Sequence, residues 1–233
     1  MDNFPDDMIM QNIAMENRFS ETAFTVKTED KYDLRWFTPG GEIDLCGHAT
    51  LAAAFVLFNY YETQAEEITF STMSGDLIVK KYDNRYEMQF PAYELKQIPV
   101  TQEMEDAFGA KPLEAWLGRD LLCVFENEET VHGMDPDQEK LTGLPGLLQH
   151  ATSKGRDYDC VSRSFAPKLS VPEDPVCGSG HCHIVPYWSH KIGNSVIAYQ
   201  ASQRGGVLYC RLDGENVYLG GEAAIFAIAE LQI

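Results

Sequence analysis

Basic side chains are scarce in this chain. Eighteen lysines and arginines stand against 36 aspartates and glutamates, for a formal net charge of −18 over 233 residues. A surface that acidic repels phosphate backbones and anionic lipid, which argues against nucleic acid and membrane surfaces as partners. Long apolar runs are missing too. None reaches the ~18 residues that a membrane-spanning helix requires. The opening MDNFPDDMIMQ lacks the basic-then-apolar pattern of a secretion signal. A cysteine framework is also absent: six cysteines lie scattered at 46, 123, 160, 177, 182 and 210, in a chain too long for a disulfide-stapled secreted domain. They read as reduced thiols, and the expected compartment is the cytoplasm.

What is present has ordinary globular character, with enough apolar residues for one large domain or two small ones. Pro5 and Asp6-Asp7 suit a helix start, and Met8, Ile9, Ile13 and Ala14 supply an apolar face behind it. ETAFTVKT and YDLRWFT read as strands, the second with Leu34, Trp36 and Thr38 on one side. Pro39-Gly40-Gly41 breaks it, EIDL is short and extended, and ATLAAAFVLFNYY is apolar nearly all round, as buried helices are. EITFSTMSGDLIVKKYDNRYEMQFP gives three strands with turns at Ser74-Gly75 and Asp83-Asn84. Pro91 to Pro99 reads as a linker and TQEMEDAFG as a new helix. Strands follow at DLLCVFE, YDCVSRSFAP, VIAYQAS, GVLYCRLDG, NVYLGG and AAIFAIAELQI. A helix spans roughly His181 to Lys191, with Pro186 leaving its start and straightness open.

The two halves share a feature. Each places an acid, then Cys-Gly, then small residues before an apolar helix: Asp44-Leu45-Cys46-Gly47-His48 in one and Asp174-Pro175-Val176-Cys177-Gly178-Ser179-Gly180 in the other. A strand that turns into a helix there presents unpaired N–H groups and the positive end of the helix dipole, a ready site for a carboxylate or phosphate. The same field is expected to lower the pKa of Cys46 or Cys177, although unpaired cysteine is commonly just core. Cys123, Cys160 and Cys210 sit in apolar strands and read as core. Cys177, His181, Cys182 and His183 offer zinc-type ligands, but no second pair completes a structural site and His181 and His183 diverge on one helix; no metal is expected. A Cys177–Cys182 disulfide fits a reducing cell poorly. Glu16 and Glu21 are the remaining acids of interest. Glu21 lies between Phe19 and Phe24, where desolvation would raise its pKa toward the range of a general base or acid.

Four blocks, NRFSETAF, LRWFTPGGEIDLCGHATLAAAFVLF, FAPKLSVPEDPVCGSGHC and RGGVLYCRLDGENVYLGGEAA, occur in this order and closely resemble the PhzF-like family, named for phenazine biosynthesis. The resemblance implies an α+β fold of the diaminopimelate-epimerase type: two similar domains, each a curved, mostly antiparallel sheet or barrel wrapped around a central helix, with the active site in the cleft between them. The expected division is 1–97, joined by a last strand at 222–233, and 98–221. It further implies a cofactor-free isomerase, often homodimeric, that moves a proton on a small carboxylate-bearing substrate. Residue by residue, Glu21 matches the catalytic glutamate of the Ser-Glu-Thr motif, His48 the histidine of the Gly-His turn and Asp174 the aspartate of the Asp-Pro motif. Ser20, Gly47, Gly178, Ser179 and Gly180 match the substrate-holding positions.

Two departures keep alternatives open. Cys46 and Cys177 fall where related two-cysteine racemases and epimerases carry their thiol pair, so an amino-acid racemase or epimerase using both thiols is the second reading. Family members also open with a strand, a Gly-Asn-Pro turn and another strand that this sequence lacks ahead of its first helix. That lack raises a third reading, an inactive relative that binds a small ligand or a protein, and leaves sheet edges expected to be exposed.

Overall fold

Alternating apolar residues and one all-apolar helix build the first unit. The computed structural model describes residues 3–169 and 171–231 and divides into two units, Met1–Met88 with Gly220–Ile233, and Gln89–Leu219. In the first, helix α1 (Asp7–Asn17) ends at Arg18 in the left-handed region. Its inner stripe is Met10 and Ala14, packed with Phe24 and Phe37. Met8 and Ile9, expected on that face, are exposed; the (i, i+4) pair Met10–Ala14 sets the stripe instead. Strands β1 (Thr22–Lys27) and β2 (Tyr32–Thr38) form an antiparallel hairpin, and β3 (Gly41–Ile43) folds back along β2. Tyr32, Leu34 and Trp36 point inward at every second position.

Helix α2 (Gly47–Tyr60) follows and packs against β1, with Ala54, Leu57 and Phe58 buried. The chain then crosses over to β4 (Glu67–Thr72), which runs parallel to β2, and returns through the antiparallel strands β5 (Gly75–Tyr82) and β6 (Arg85–Pro91). Gly75 and Asp83 take the positive φ values that these two tight turns require. Phe58 stacks on Tyr86 of β6, with ring centroids 5.7 Å apart. The sheet order in this unit is β1-β2-β4-β5-β6, with β3 on β2.

The second unit repeats that path after an added layer. The layer comprises β7 (Lys96–Ile98), α3 (Gln102–Phe108), β8 (Glu114–Leu117), β9 (Leu121–Val124), α4 (Glu128–His132) and α5 (Gln138–Gly143). The expected linker therefore contains β7, and β8, α4 and α5 went unforeseen because each is short. The repeat itself runs through β10 (Gln149–Lys154), β11 (Cys160–Ala166), β12 (Val171–Asp174), α6 (Gly178–Ile192), β13 (Ser195–Gln200), β14 (Gly206–Asp213) and β15 (Asn216–Gly221). Its order is β10-β11-β13-β14-β15, with β12 folded back on β11 and β13 parallel to β11 across the helix. Both units thus share one connectivity: hairpin, short return strand, cysteine-headed helix, parallel crossover, two more strands. This topology carries the duplication that two short sequence matches only hinted at.

The apolar core of the second unit lies on one face of its sheet, where Phe108, Leu121, Phe125, Val131, Leu141 and Phe165 pack under α3 to α5. Helix α6 covers the other. It runs through Pro186, which has no N–H to give to the carbonyl of Cys182. The backbone N–H of Tyr93 donates to that carbonyl instead, at 3.0 Å, so the helix tolerates the proline.

The final stretch departs from expectation. Residues 222–231 carry no strand, and Phe226 and Ile228 are exposed; their backbone finds no ladder partner among the described residues, and Gln232 and Ile233 lie outside them. The boundary between units also falls within β6 rather than at residue 97. No helix among the described residues is long and apolar enough to cross a membrane.

Candidate active site

The first unit assembles five of the candidate residues at the start of α2. Cys46 is the N-cap, in extended conformation, and its carbonyl accepts the first helical bond from the N–H of Thr50 at 3.1 Å. The N–H groups of Gly47 and His48 precede that bond and point out of the helix end. Glu21 arrives from the other side, in the short segment between α1 and β1. Its Oε2 lies 2.8 Å from His48 Nε2, an ion-pair contact, and this oxygen makes no aligned hydrogen bond. Ser20 Oγ is 3.4 Å from His48 Nε2. Cys46 Sγ sits 3.8 Å from each ring nitrogen of His48.

Charge follows from this geometry. Burial pushes the Glu21 carboxyl up, but the contact and charge of His48, with the Ser20 hydroxyl and Cys46, outweigh it and hold the group below its ordinary range. The elevation expected from its apolar flanks does not occur: Phe19 is exposed, and an imidazole sits against the carboxylate. Burial pushes His48 down, but its contact with Cys46 and, next, the contact and charge of Glu21 raise it from 6.5 to about 10. Cys46 itself is raised, first by burial and then by the Glu21 charge, so at neutral pH it keeps its proton and Glu21 is the charged partner. The resting arrangement is a carboxylate beside an imidazolium, with a neutral thiol at the helix cap.

The second unit assembles the other five at the start of α6. Asp174 ends β12 and turns the chain by accepting the N–H of Val176 on Oδ1 at 2.9 Å. Cys177 is the N-cap: its Sγ accepts the N–H of Gly180 at 3.3 Å, and its own N–H donates to Gln200 Oε1 at 2.8 Å. Ser179 Oγ lies 3.5 Å from the same sulfur. The first helical bond runs from His181 N–H to the Cys177 carbonyl, so the N–H groups of Gly178 and Ser179 precede it. Burial, then the Asp174 charge, pushes the Cys177 thiol well above its ordinary value. The lowered thiol pKa expected at both corners is therefore not what burial produces. Each unit gathers its own share of the candidates: Ser20, Glu21, Cys46, Gly47 and His48 in the first, Asp174, Cys177, Gly178, Ser179 and Gly180 in the second.

The zinc set considered at Cys177, His181, Cys182 and His183 does not assemble. His181 Nδ1 and His183 Nδ1 donate to the carbonyls of Cys177 and Ser179, and Cys182 Sγ donates to that of Gly178. All six cysteines are free and buried. Among the described residues, the donor groups that do converge are Glu21, Cys46 and His48, and Asp120, His150 and His183, each set within 4.8 Å. In the first set the carboxylate and imidazolium already form an ion pair. The second set escaped sequence reading because its members lie 30 or more positions apart, and only the isolated Arg119-Asp120 ahead of an apolar strand marks it.

A duplicated α+β scaffold with a Cys-Gly helix start in each unit is an epimerase-type fold. A predicted epimerase from Pseudomonas aeruginosa shares this fold at 18% identity, with a TM-score of 0.72 over 98% of this chain and 89% of that one. The chain belongs to the phenazine biosynthesis-like family, whose profile matches residues 2–229. An uncharacterized isomerase of Pseudomonas aeruginosa is 43% identical over 235 residues, covering 100% of this chain and 90% of the relative. The crystal structure of a PhzF-family phenazine biosynthesis protein from Enterococcus faecalis superposes with a TM-score of 0.95 at 48% identity, covering 97% of this chain and 88% of that one. The family places the chain among enzymes of the isomerase class.

Proposed function

We propose that this protein is a cofactor-independent isomerase that moves a proton on a small carboxylate-bearing substrate. The observation that carries the reading is the Glu21–His48 pair: a carboxylate with an oxygen free of aligned hydrogen bonds, 2.8 Å from an imidazole raised to about 10. Glu21 takes the proton from carbon, and the adjacent imidazolium stabilises the charge that builds up and keeps the base ionised at rest. The same acid then returns the proton to the new position. In the second unit, Asp174 and the N–H groups at Gly178 and Ser179 are assigned to receiving a carboxylate at a helix start.

The two-thiol alternative receives less support. A racemase of that kind needs one thiolate, and burial raises both Cys46 and Cys177. The test is solvent deuterium incorporation into a panel of small unsaturated carboxylates after exhaustive dialysis against chelator. Exchange is expected in the wild type and lost in Glu21→Gln. Exchange that survives Glu21→Gln and disappears in Cys177→Ser would replace the glutamate reading with the thiol one.

A further inference from the structure

The second unit buries a group of polar side chains directly beneath the α6 corner. Asp120, His150, Ser164 and His183 are fully buried. His150 Nε2 lies 3.2 Å from Asp120 Oδ2, and His150 Nδ1 lies 3.0 Å from Ser164 Oγ. The Asp120 carboxylate also accepts the N–H of Leu148 at 3.2 Å and a two-pronged contact from Arg119 at 3.0 and 2.7 Å. The N–H of Asp120 donates to His183 Nε2 at 3.1 Å, and His183 Nδ1 donates to the Ser179 carbonyl at 3.0 Å. The His183 ring is further clamped by Tyr93, stacked with its centroid 4.3 Å away.

This array is a brace and not a cation site. His183 accepts at Nε2, so in the neutral ring its proton sits on Nδ1, the nitrogen 3.8 Å from the Asp120 carboxylate. Arg119 already neutralises that carboxylate. A metal ion would have to displace both contacts.

What the array braces is specific. A Cβ on Gly180 would lie 2.8 Å from His150 Cε1 and 3.0 Å from Ser164 Oγ, so the first turn of α6 rests on these two side chains through a bare Cα. Ser164 is also the register partner of Asp174 across β11 and β12. One connected path therefore leads from Arg119 through Asp120 and His150 to Ser164, and ends behind both Asp174 and the Gly178–Gly180 turn.

We propose that Asp120 and His150 are positioning residues for this corner, fixing the Gly178 and Ser179 N–H groups and Asp174 where an anion is received. The purpose assigned to the corner rests on the proposed function; the geometry does not. In the neutral ring the Asp120 carboxylate keeps the His150 proton on Nε2, which leaves Nδ1 to accept from Ser164 and sets the direction of that hydroxyl. Asp120→Asn keeps the shape but presents an amide donor to Nε2, which reverses the tautomer.

The experiment compares the full-length wild type, Asp120→Asn and Ser164→Ala by NMR and by calorimetric titration with benzoate as the carboxylate probe. Wild-type His150 should carry its proton on Nε2. Asp120→Asn should move it to Nδ1, displace the amide resonances of Gly178, Ser179 and Gly180, and weaken benzoate about tenfold, the scale of one hydrogen bond. The His48 titration in the first unit should stay in place. Ser164→Ala, which removes the last link without changing charge, should shift the same amides even if Asp120→Asn fails to fold. A wild-type proton on Nδ1, or amides of 178–180 unmoved in a folded variant, overturns the proposal. Absence of benzoate binding in the wild type counts against the carboxylate reading of the corner alone, because the tautomer and amide shifts still decide the positioning role.

Discussion

Replacing Glu21 by glutamine should release His48. The wild-type imidazole is raised from 6.5 to about 10 with Glu21 Oε2 2.8 Å away. Glutamine keeps the length and removes the charge. What remains around the ring is burial, which favours the neutral form, and the Cys46 contact, which still favours the charged one. The His48 pKa should then fall below its wild-type value of about 10, proton affinity dropping roughly tenfold for each 1.4 kcal/mol of ion pairing lost. The assay is a ¹³C-edited NMR titration of the histidine Cε1–H groups from about pH 5 to about pH 11, a range that brackets both the free and the paired ring. His48 should titrate at the alkaline end in the wild type and at lower pH in Glu21→Gln. A wild-type His48 that titrates near 6.5, or one whose midpoint ignores the substitution, refutes the ion-pair argument.

Stability should follow the same pair. His48, raised by folding, contributes fully below 6.5 and loses that contribution as pH climbs to about 10. Glu21, lowered by folding, contributes above 4.5 and loses it as pH falls. Urea unfolding should therefore show a decline on the alkaline side of 6.5 that is absent in His48→Gln; an equal decline in both would contradict it. Buried thiols with raised pKa make Cys46 and Cys177 slow to alkylate, so iodoacetamide at neutral pH should label neither in the folded protein within the time that labels free cysteine, and prompt stoichiometric labelling would contradict their assigned state. Gly180→Ala drives a methyl within 2.8 Å of the His150 ring and should cost about 1–3 kcal/mol in denaturant unfolding, the usual range for overpacking; a neutral effect would mean that the α6 start does not rest on His150.

Much of the scaffold was legible from local pattern. YDLRWFT alternates buried and intermediate residues as a strand should, and Ser74-Gly75 and Asp83-Asn84 mark their turns because only a few residue types suit positive φ. The apolar helix Gly47–Tyr60 announced itself by composition. Short elements escaped: β7 has three residues and α4 five, below the length at which a period can be read. The AAIFAIAEL stretch looked like a strand because it is apolar, but a strand also needs a neighbour for its backbone. At the candidate site, Cys46, His48, Asp174 and Cys177 stand out because each lies at or near a sequence-adjacent helix start, and Glu21 only through its Ser-Glu-Thr motif. Their protonation was misjudged for one reason. Sequence shows that Phe19 and Phe24 flank Glu21, and does not show that an imidazole from residue 48 lies against it. Asp120, His150 and Ser164 were invisible for the same reason, being joined only by the strand pairing of the second unit.

The pH dependence of solvent deuterium exchange into a turned-over carboxylate decides whether the Glu21–His48 pair moves the proton. A Glu21 carboxylate working beside a His48 imidazolium predicts a rate that is level through neutrality, falls in acid as Glu21 takes up a proton and falls again near pH 10 as His48 loses its own, with Glu21→Gln slower by about 10²–10⁴. A rate that instead keeps climbing through the alkaline range in which thiols ionise, and is indifferent to Glu21→Gln, would show that the carboxylate–imidazolium pair is not what moves the proton.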